Sequence, residues 1–390
     1  VNSVQSPLSG MRVLEFGHIA AAPFCGMVLA DLGADVVKVE PPGGDGLRAW
    51  PPLARDANGE DYSLNFASMN RGKRSVVADL KNPEELARVR KLCAATDVIL
   101  ENYRPGVLAR LGLGFDDVAK LQRRIVYCSI SGYGQTGRYA ERGAFDVVIQ
   151  GMAGLMSVTG EEDGPPVKCG VPVADVTAAL YAALTIVATR GVAVRENRAI
   201  HLDCPMLDCL LGVSALQTSE YWGTGIAPKR LGSAHPRNAP YQAFEASDAP
   251  FAIAAGNDGL WAQVCEATGK RELLGDARFS SVAERAKNQK ALAAILQDVF
   301  RTQSAAHWIA EFERRGVPCG PVNTFADILA DAELVHNGLI CDLDVPVAGK
   351  TKTVSYPVRM NRARQPIRLP PPKLGEHTEE VFLEWTAASA

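Results

Sequence analysis

Six short runs rich in β-branched residues punctuate the first half of the chain: MRVLEF (11–16), DVVKVE (35–40), KRSVVADL (73–80), DVILEN (97–102), RIVYCSIS (124–131) and AIHLDC (199–204). Near-continuous apolar runs of this kind suit strands buried on both faces of a parallel sheet. Between them, AAPFCGMVLADLG (21–33) and PEELARVRKLCAATD (83–97) carry apolar residues three and four apart, the spacing of helices that pack on a sheet. Strand and helix in alternation predict an α/β fold with a doubly wound, mostly parallel, Rossmann-like sheet.

Past residue 225 the pattern changes. YQAFEASDAPFAIAAG reads as a hairpin, followed by helical patterns at DGLWAQVCEATG, QKALAAILQDVF and AAHWIAEFERRG. This predicts a large α/β domain over 1–225, a smaller α+β domain over 226–325, and a segment over 326–390 that returns to the large domain, with TVSYPVRM as a strand and EHTEEVFLEW as a helix. A chain of 390 residues that is 47% hydrophobic supplies the cores this needs. Its 41 basic and 44 acidic residues are interspersed, without the Lys/Arg block that tracks a phosphate backbone, so nucleic acid is not an expected partner. The nine cysteines, at 25, 93, 128, 169, 204, 209, 265, 319 and 341, include no CxxC pair and no His at zinc-ligand spacing, and read as free thiols with no metal site. VNSVQSPLSGMRVLEFG lacks the layout of a signal peptide, and no apolar run reaches the roughly 18–20 residues of a membrane span. The expectation is a cytoplasmic protein without a membrane partner.

The turn after the first strand, FGHIAAAPF, is not the GxGxxG that brings a backbone against a pyrophosphate, although open α/β sheets bind ligands at the carboxyl ends of their strands. The other candidate is Asp175 in KCGVPVADVTAALYA, where an extended Gly/Pro segment runs into a helix pattern. As a helix cap Asp175 is fully explained. The same position suits a nucleophilic carboxylate that a helix dipole keeps ionised, and the local pattern fits both.

Eight ordered blocks tell more: LSGMRVLEFGHIAAAPFCGMVLADLGADVVKVEPPGGD, NRGKRSVVADLK, ENYRPGVLARLGLG, YCSISGYGQTG, FDVVIQGMAGLM, GVPVADV, GVPCGPVN and PPKLGEHTEEV. Over almost its whole length the chain resembles the class III CoA-transferases of the CaiB/BaiF type, which include formyl-CoA and succinyl-CoA dependent enzymes. The resemblance implies Asp175 as nucleophile, passing through a mixed anhydride and an aspartyl-CoA thioester. It implies no tightly bound cofactor, with acyl-CoA and a small carboxylic acid as the reacting partners. It carries His18, Ala20 and Ala21 to the thioester, their turn's backbone amides being candidate oxyanion donors, with His18 equally readable as a structural histidine. Ala78, Asp79, Leu80 and Lys81, with Asn102, Tyr103 and Arg104, match positions along the adenine and phosphate end of CoA, and Arg110 matches a phosphate-pairing arginine. Asp146 matches an acidic position near the nucleophile, as an orienting group or as the cap of its own helix.

Racemases of the same fold carry a His before that acidic residue to move a proton at the α-carbon; here Phe145 stands there and cannot accept one. Oxalate-specific relatives have a glycine run and a first-turn Gln, whereas this chain has no such run after 220 and carries Ala20. The expectation is therefore transfer from succinyl-CoA to a C4–C5 dicarboxylate or analogue, with Arg48, Arg142, Arg230 and Arg237 as candidates for its distal carboxylate. An acyl-CoA racemase and a non-catalytic CoA-ester binding protein are the alternatives. The resemblance also implies an interlocked homodimer, consistent with extended linkers near 222–240 and 315–355.

Overall fold

In a computed structural model, which describes residues 6–387, the chain divides into two compact units. One takes the chain up to Leu155, Lys168–Ser219 and everything from Ala332 onward; the other takes Met156–Val167 and Glu220–Asp331.

The first unit is built on a six-stranded sheet. Its strands are β1 (Arg12–Phe16), β2 (Asp35–Glu40), β3 (Lys73–Val77), β4 (Val98–Glu101), β5 (Val126–Ser131) and β6 (Ile200–Pro205). They lie in the order β3-β2-β1-β4-β5-β6, every pair parallel. All six coincide with the runs read from sequence. The order reverses between β1 and β4, and the crevice at such a switch point is where doubly wound sheets take ligands.

Side chains alternate between two cores. Val13, Val98 and Val126 pack on one face with α1 (Ala21–Asp31) and α4 (Val173–Glu196). Leu14, Ile99 and Tyr127 pack on the other with α2 (Pro83–Ala94) and α5 (Thr378–Ala387), so Val381, Phe382 and Trp385 near the chain's end join the sheet. A further short helix, α3 (Asp146–Met152), precedes α4. α4 is long and apolar enough to cross a membrane by length and composition, contrary to the expectation that no run qualifies. Its buried stripe of Ala174, Ala178, Ala179, Ala182, Ala183 and Ile186 lies in the core, so the small residues are explained by close packing against the sheet and α1.

Two of the apolar strands carry charge at their centres. Glu15, Lys38 and Lys73 have no exposed surface; the Glu15 carboxylate lies 3.0 Å from Lys38 Nζ and 2.8 Å from Lys73 Nζ. α1 closes over this group at Gly26, where a Cβ atom would stand 2.0 Å from Glu15 Oε2.

The second unit holds β7 (Tyr241–Glu245), β8 (Pro250–Ala254) and β9 (Cys319–Pro321) as an antiparallel sheet, covered by helices at Asp258–Thr268, Gln289–Phe300 and Ala305–Arg314. Two readings from sequence are corrected. TVSYPVRM is strand only to Val354, because Gly349–Val354 pairs antiparallel with Ile340–Val345 in a hairpin. The stretch 315–355 is likewise no extended linker, since it contains β9, that hairpin and short helices at Phe325–Leu329 and Ala332–His336.

Removing one partner from a buried ion cluster leaves the others uncompensated, at a cost of about 3–5 kcal/mol. Glu15→Ala strands two lysines and is expected to lower stability by about that amount in urea unfolding. A wild-type midpoint would show that water or rearrangement replaces the carboxylate.

Candidate active site

The carboxyl ends of β1 and β4 face each other across the switch point, and the segments leaving them are tied together. Asn102 holds the backbone of His18 at two points: its Oδ1 accepts from the His18 N–H at 2.8 Å and its Nδ2 donates to the His18 carbonyl at 2.9 Å. Tyr103 Oη sits 2.7 Å from His18 Nε2. Burial lowers the His18 pKa against the pull of Asp45, which favours the neutral ring. Lys38 Nζ donates to the Gly17 carbonyl at 2.6 Å, and the Asp45 carboxylate accepts from the Ile19 N–H.

Above this turn lies a cavity of about 250 Å³. His18, Ala20, Ala21, Asn102, Tyr103, Arg104, Asp146 and Asp175 all line it, with Arg142 and Phe145. A second cavity, of about 310 Å³, is lined by Ala78, Asp79, Leu80, Lys81 and Arg110, and shares Tyr103 with the first. The residues expected at the thioester and those expected at the nucleotide end therefore fall into two adjoining spaces. A larger cavity of about 360 Å³ shares Arg104 with the first but holds no other expected residue. Among the described residues no group of His, Cys, Asp and Glu has the arrangement of a metal site.

Asp175 is not a cap. Pro172 occupies the N-cap of α4 and Asp175 lies in the first turn. The cap is supplied from another helix: Asp146 Oδ1 accepts from the Ala174 N–H at 2.9 Å, one of the orphan donors at the start of α4. Asp146 Oδ2 accepts from Gln150 Nε2 at 2.7 Å, and Gln150 Oε1 accepts from the Cys169 N–H at 2.8 Å. Asp146 is also not the N-cap of its own helix α3, a place taken by Phe145. Phe145 is 73% exposed beside Asp175.

The expectation that the helix start keeps Asp175 ionised is also corrected. Burial, with the neighbouring Asp146 charge as the second cause, pushes its pKa up from 3.8 to about 7. Desolvation at this depth outweighs the favourable end of the helix.

The four arginines separate. Arg48 is held by Glu40 through two hydrogen bonds of 2.7 Å. Arg237 pairs with Glu220 at 2.9 Å. Arg230 donates to the carbonyls of Glu161 and Gly164. Arg142 alone of the four lines the Asp175 cavity, stacked over Tyr139. The sequence reading missed Lys38 and Asp45; Lys38 was signalled by a charge among the valines of β2, whereas Asp45, in the loop after that strand, carried no such signal.

The model of CoA-transferase family III matches residues 8–378. The chain belongs to that family. It is similar to a succinate–glutarate CoA-transferase of Agrobacterium fabrum, 39% identical over 97% of this chain and 95% of that protein. A succinyl-CoA:glutarate CoA-transferase of Mus musculus is 38% identical over 97% of this chain and 86% of that one. Among solved structures, a CaiB/BaiF family protein from Brucella suis superposes with a TM-score of 0.87 at 39% identity, covering 98% of this chain and 100% of that one. The protein is a class III CoA-transferase, acting on CoA esters.

Because Asp175 and Asp146 share one cavity, their charges oppose each other. Carbon-detected NMR of the aspartates should show the Asp175 carboxyl titrating near pH 7, and Asp146→Asn should move that midpoint down. A midpoint near 4 in the wild type would contradict the burial argument.

Proposed function

We propose that this CoA-transferase moves CoA from succinyl-CoA to a small dicarboxylic acid through covalent intermediates on Asp175. The observation that carries the reading is the convergence, on one cavity, of an Asp175 carboxylate that burial has raised to about 7, the turn His18–Ala21, and Arg142.

The ionised Asp175 attacks the thioester carbonyl; the C–S bond breaks, CoA leaves as thiolate, and an aspartyl-succinyl anhydride forms. The thiolate attacks the Asp175 carbonyl, and succinate departs with one of the Asp175 oxygens, leaving an aspartyl-CoA thioester. The acceptor carboxylate attacks that thioester and expels the thiolate, which then attacks the acceptor's acyl carbon and frees Asp175. Each half exchanges a thioester and a carboxylate for the same two groups, so catalysis consists of positioning and of keeping water from the anhydride. The backbone N–H groups of Ala20 and Ala21 stabilise the oxyanions, and Asn102 and Tyr103 hold their turn. The nucleotide end of CoA lies along Ala78–Lys81, with Arg110 and Arg104 for its phosphates.

A dicarboxylate acceptor is favoured because Arg142 stands in the same cavity without a carboxylate of its own among the described residues, and a guanidinium pairs in two-point fashion with a planar anion. The succinate and glutarate in the names of the two relatives agree with a C4–C5 pair. The reading extends to a homodimer. Leu180, Leu184 and Val187 lie on the uncovered face of α4, with Leu184 67% exposed, and a contiguous apolar face of this kind is what a second copy covers. Light scattering should return twice the 41.7 kDa of one chain; a monomer mass would remove this part.

Incubation with succinyl-CoA followed by peptide mass spectrometry should place an adduct on the Asp175 peptide, and Asp175→Asn should abolish transfer while still folding. A panel of acids should favour dicarboxylates, with Arg142→Ala raising their KM about tenfold or more, in line with the loss of a charged hydrogen-bond partner. Full activity in Asp175→Asn sinks the mechanism.

A further inference from the structure

Ile19 is a β-branched residue at φ 64°, in the left-handed region that such side chains rarely adopt. It stands between the strand that ends at Phe16 and the first residues of α1, where no side chain caps the helix N-terminus and where Ala20 and Ala21 line the Asp175 cavity. A conformation of this kind persists only where the surroundings over-determine it.

Asp45 supplies that constraint. Its two carboxylate oxygens accept from the Ile19 N–H at 3.2 and 3.3 Å, and Oδ1 also accepts from the Leu47 N–H at 2.9 Å. Lys38 Nζ lies 2.9 Å from Oδ2 and also holds the Gly17 carbonyl. Asp45 is itself fixed: its N–H donates to Glu40 Oε2 at 3.0 Å, and Glu40 is clamped by Arg48 and by the Ser75 hydroxyl at 2.6 Å. It is 1% exposed and does not line the cavity, so it acts only through the turn.

We propose that Asp45 is a positioning residue for acyl transfer, holding Ile19 in the left-handed conformation that aims the first backbone N–H groups of α1 at the thioester oxygen beside Asp175. The inference rests on the transferase reading given above. With Asp45 in place the donors stand ready before charge develops, which is when an oxyanion site is effective. Without it Ile19 relaxes to the ordinary side of φ and the peptide after it turns.

Three variants separate positioning from mere stability. Asp45→Ala removes the acceptor for the Ile19 N–H and should lower kcat roughly 100-fold, the cost of a small misplacement, with the KM for acyl-CoA changed by no more than about twofold. Asp45→Asn keeps an acceptor oxygen and should retain most of kcat. Ile19→Gly placed on Asp45→Ala should recover part of the loss, since glycine takes positive φ without help. All are compared at a temperature where circular dichroism shows the folded protein; if Asp45→Ala does not fold, Asp45→Ser, whose hydroxyl is one bond too short to reach the Ile19 N–H, replaces it with and without Ile19→Gly and with the same expected loss and recovery. Wild-type kcat in Asp45→Ala, a loss confined to KM, or an Asp45→Asn as impaired as the alanine variant overturns the proposal. A wild type without any transfer or Asp175 adduct instead removes the reading beneath it, so the two failures are told apart.

Discussion

A carboxylate buried between two lysines governs the layout of this molecule. Glu15, at the centre of β1, takes charge from Lys38 on one neighbouring strand and from Lys73 one strand further out. Burial opposes the charge on both lysines. For Lys38 the carboxylates of Glu15, Asp45 and Glu40 outweigh that opposition and hold its pKa above the ordinary lysine range. For Lys73 burial prevails and pushes it down to about 8. Replacing such a group with apolar side chains of equal volume is often no less stable, so stability alone does not explain its presence. What it does here is geometric. Lys38 reaches past Glu15 to the Gly17 carbonyl and to Asp45, which carries the charge network out of the core to the turn over the cavity.

The opposite side of the cavity is organised by a different conflict. Asp146 satisfies an N–H at the head of α4 and thereby anchors Asp175, but its charge adds to the burial that makes Asp175 reluctant to ionise. The folded-state pKa of about 7 lies above the unfolded value of 3.8, so folding favours the protonated form. That contribution is fully present below the unfolded value and is lost as the pH rises through about 7. Near neutrality the chain keeps a half-buried carboxylate partly ionised at the expense of stability, as the covalent role proposed for Asp175 requires.

Much of this was legible in the sequence for a physical reason. Strands buried on both faces are apolar along most of their length, so the six runs marked the sheet even where Glu15, Lys38 and Lys73 interrupt them, and the ordered blocks marked the cavity-lining residues around Asp175. The local role of Asp175 was not legible. An Asp after a Gly/Pro segment looks like a cap, whereas the actual N-cap is Pro172 and the capping carboxylate comes from Asp146, 28 positions before the Ala174 N–H it accepts from. The hairpin at Ile340–Val354 was missed because its strands alternate with charged and small residues rather than running apolar. The assignment of Met156–Val167 to the second unit depends on tertiary contact alone, which no local pattern records.

The central claim is that Asp175 takes part covalently, and the fate of its oxygens tests it directly. In the sequence of steps above, each turnover removes one Asp175 oxygen with the departing donor acid and restores one from the acceptor. Turnover with an acceptor labelled with ¹⁸O in its carboxylate, in ordinary water, is expected to leave a heavier Asp175 peptide, and unlabelled acid in ¹⁸O water is expected to leave it unchanged. An Asp175 peptide that stays light after many turnovers with labelled acid would contradict the account.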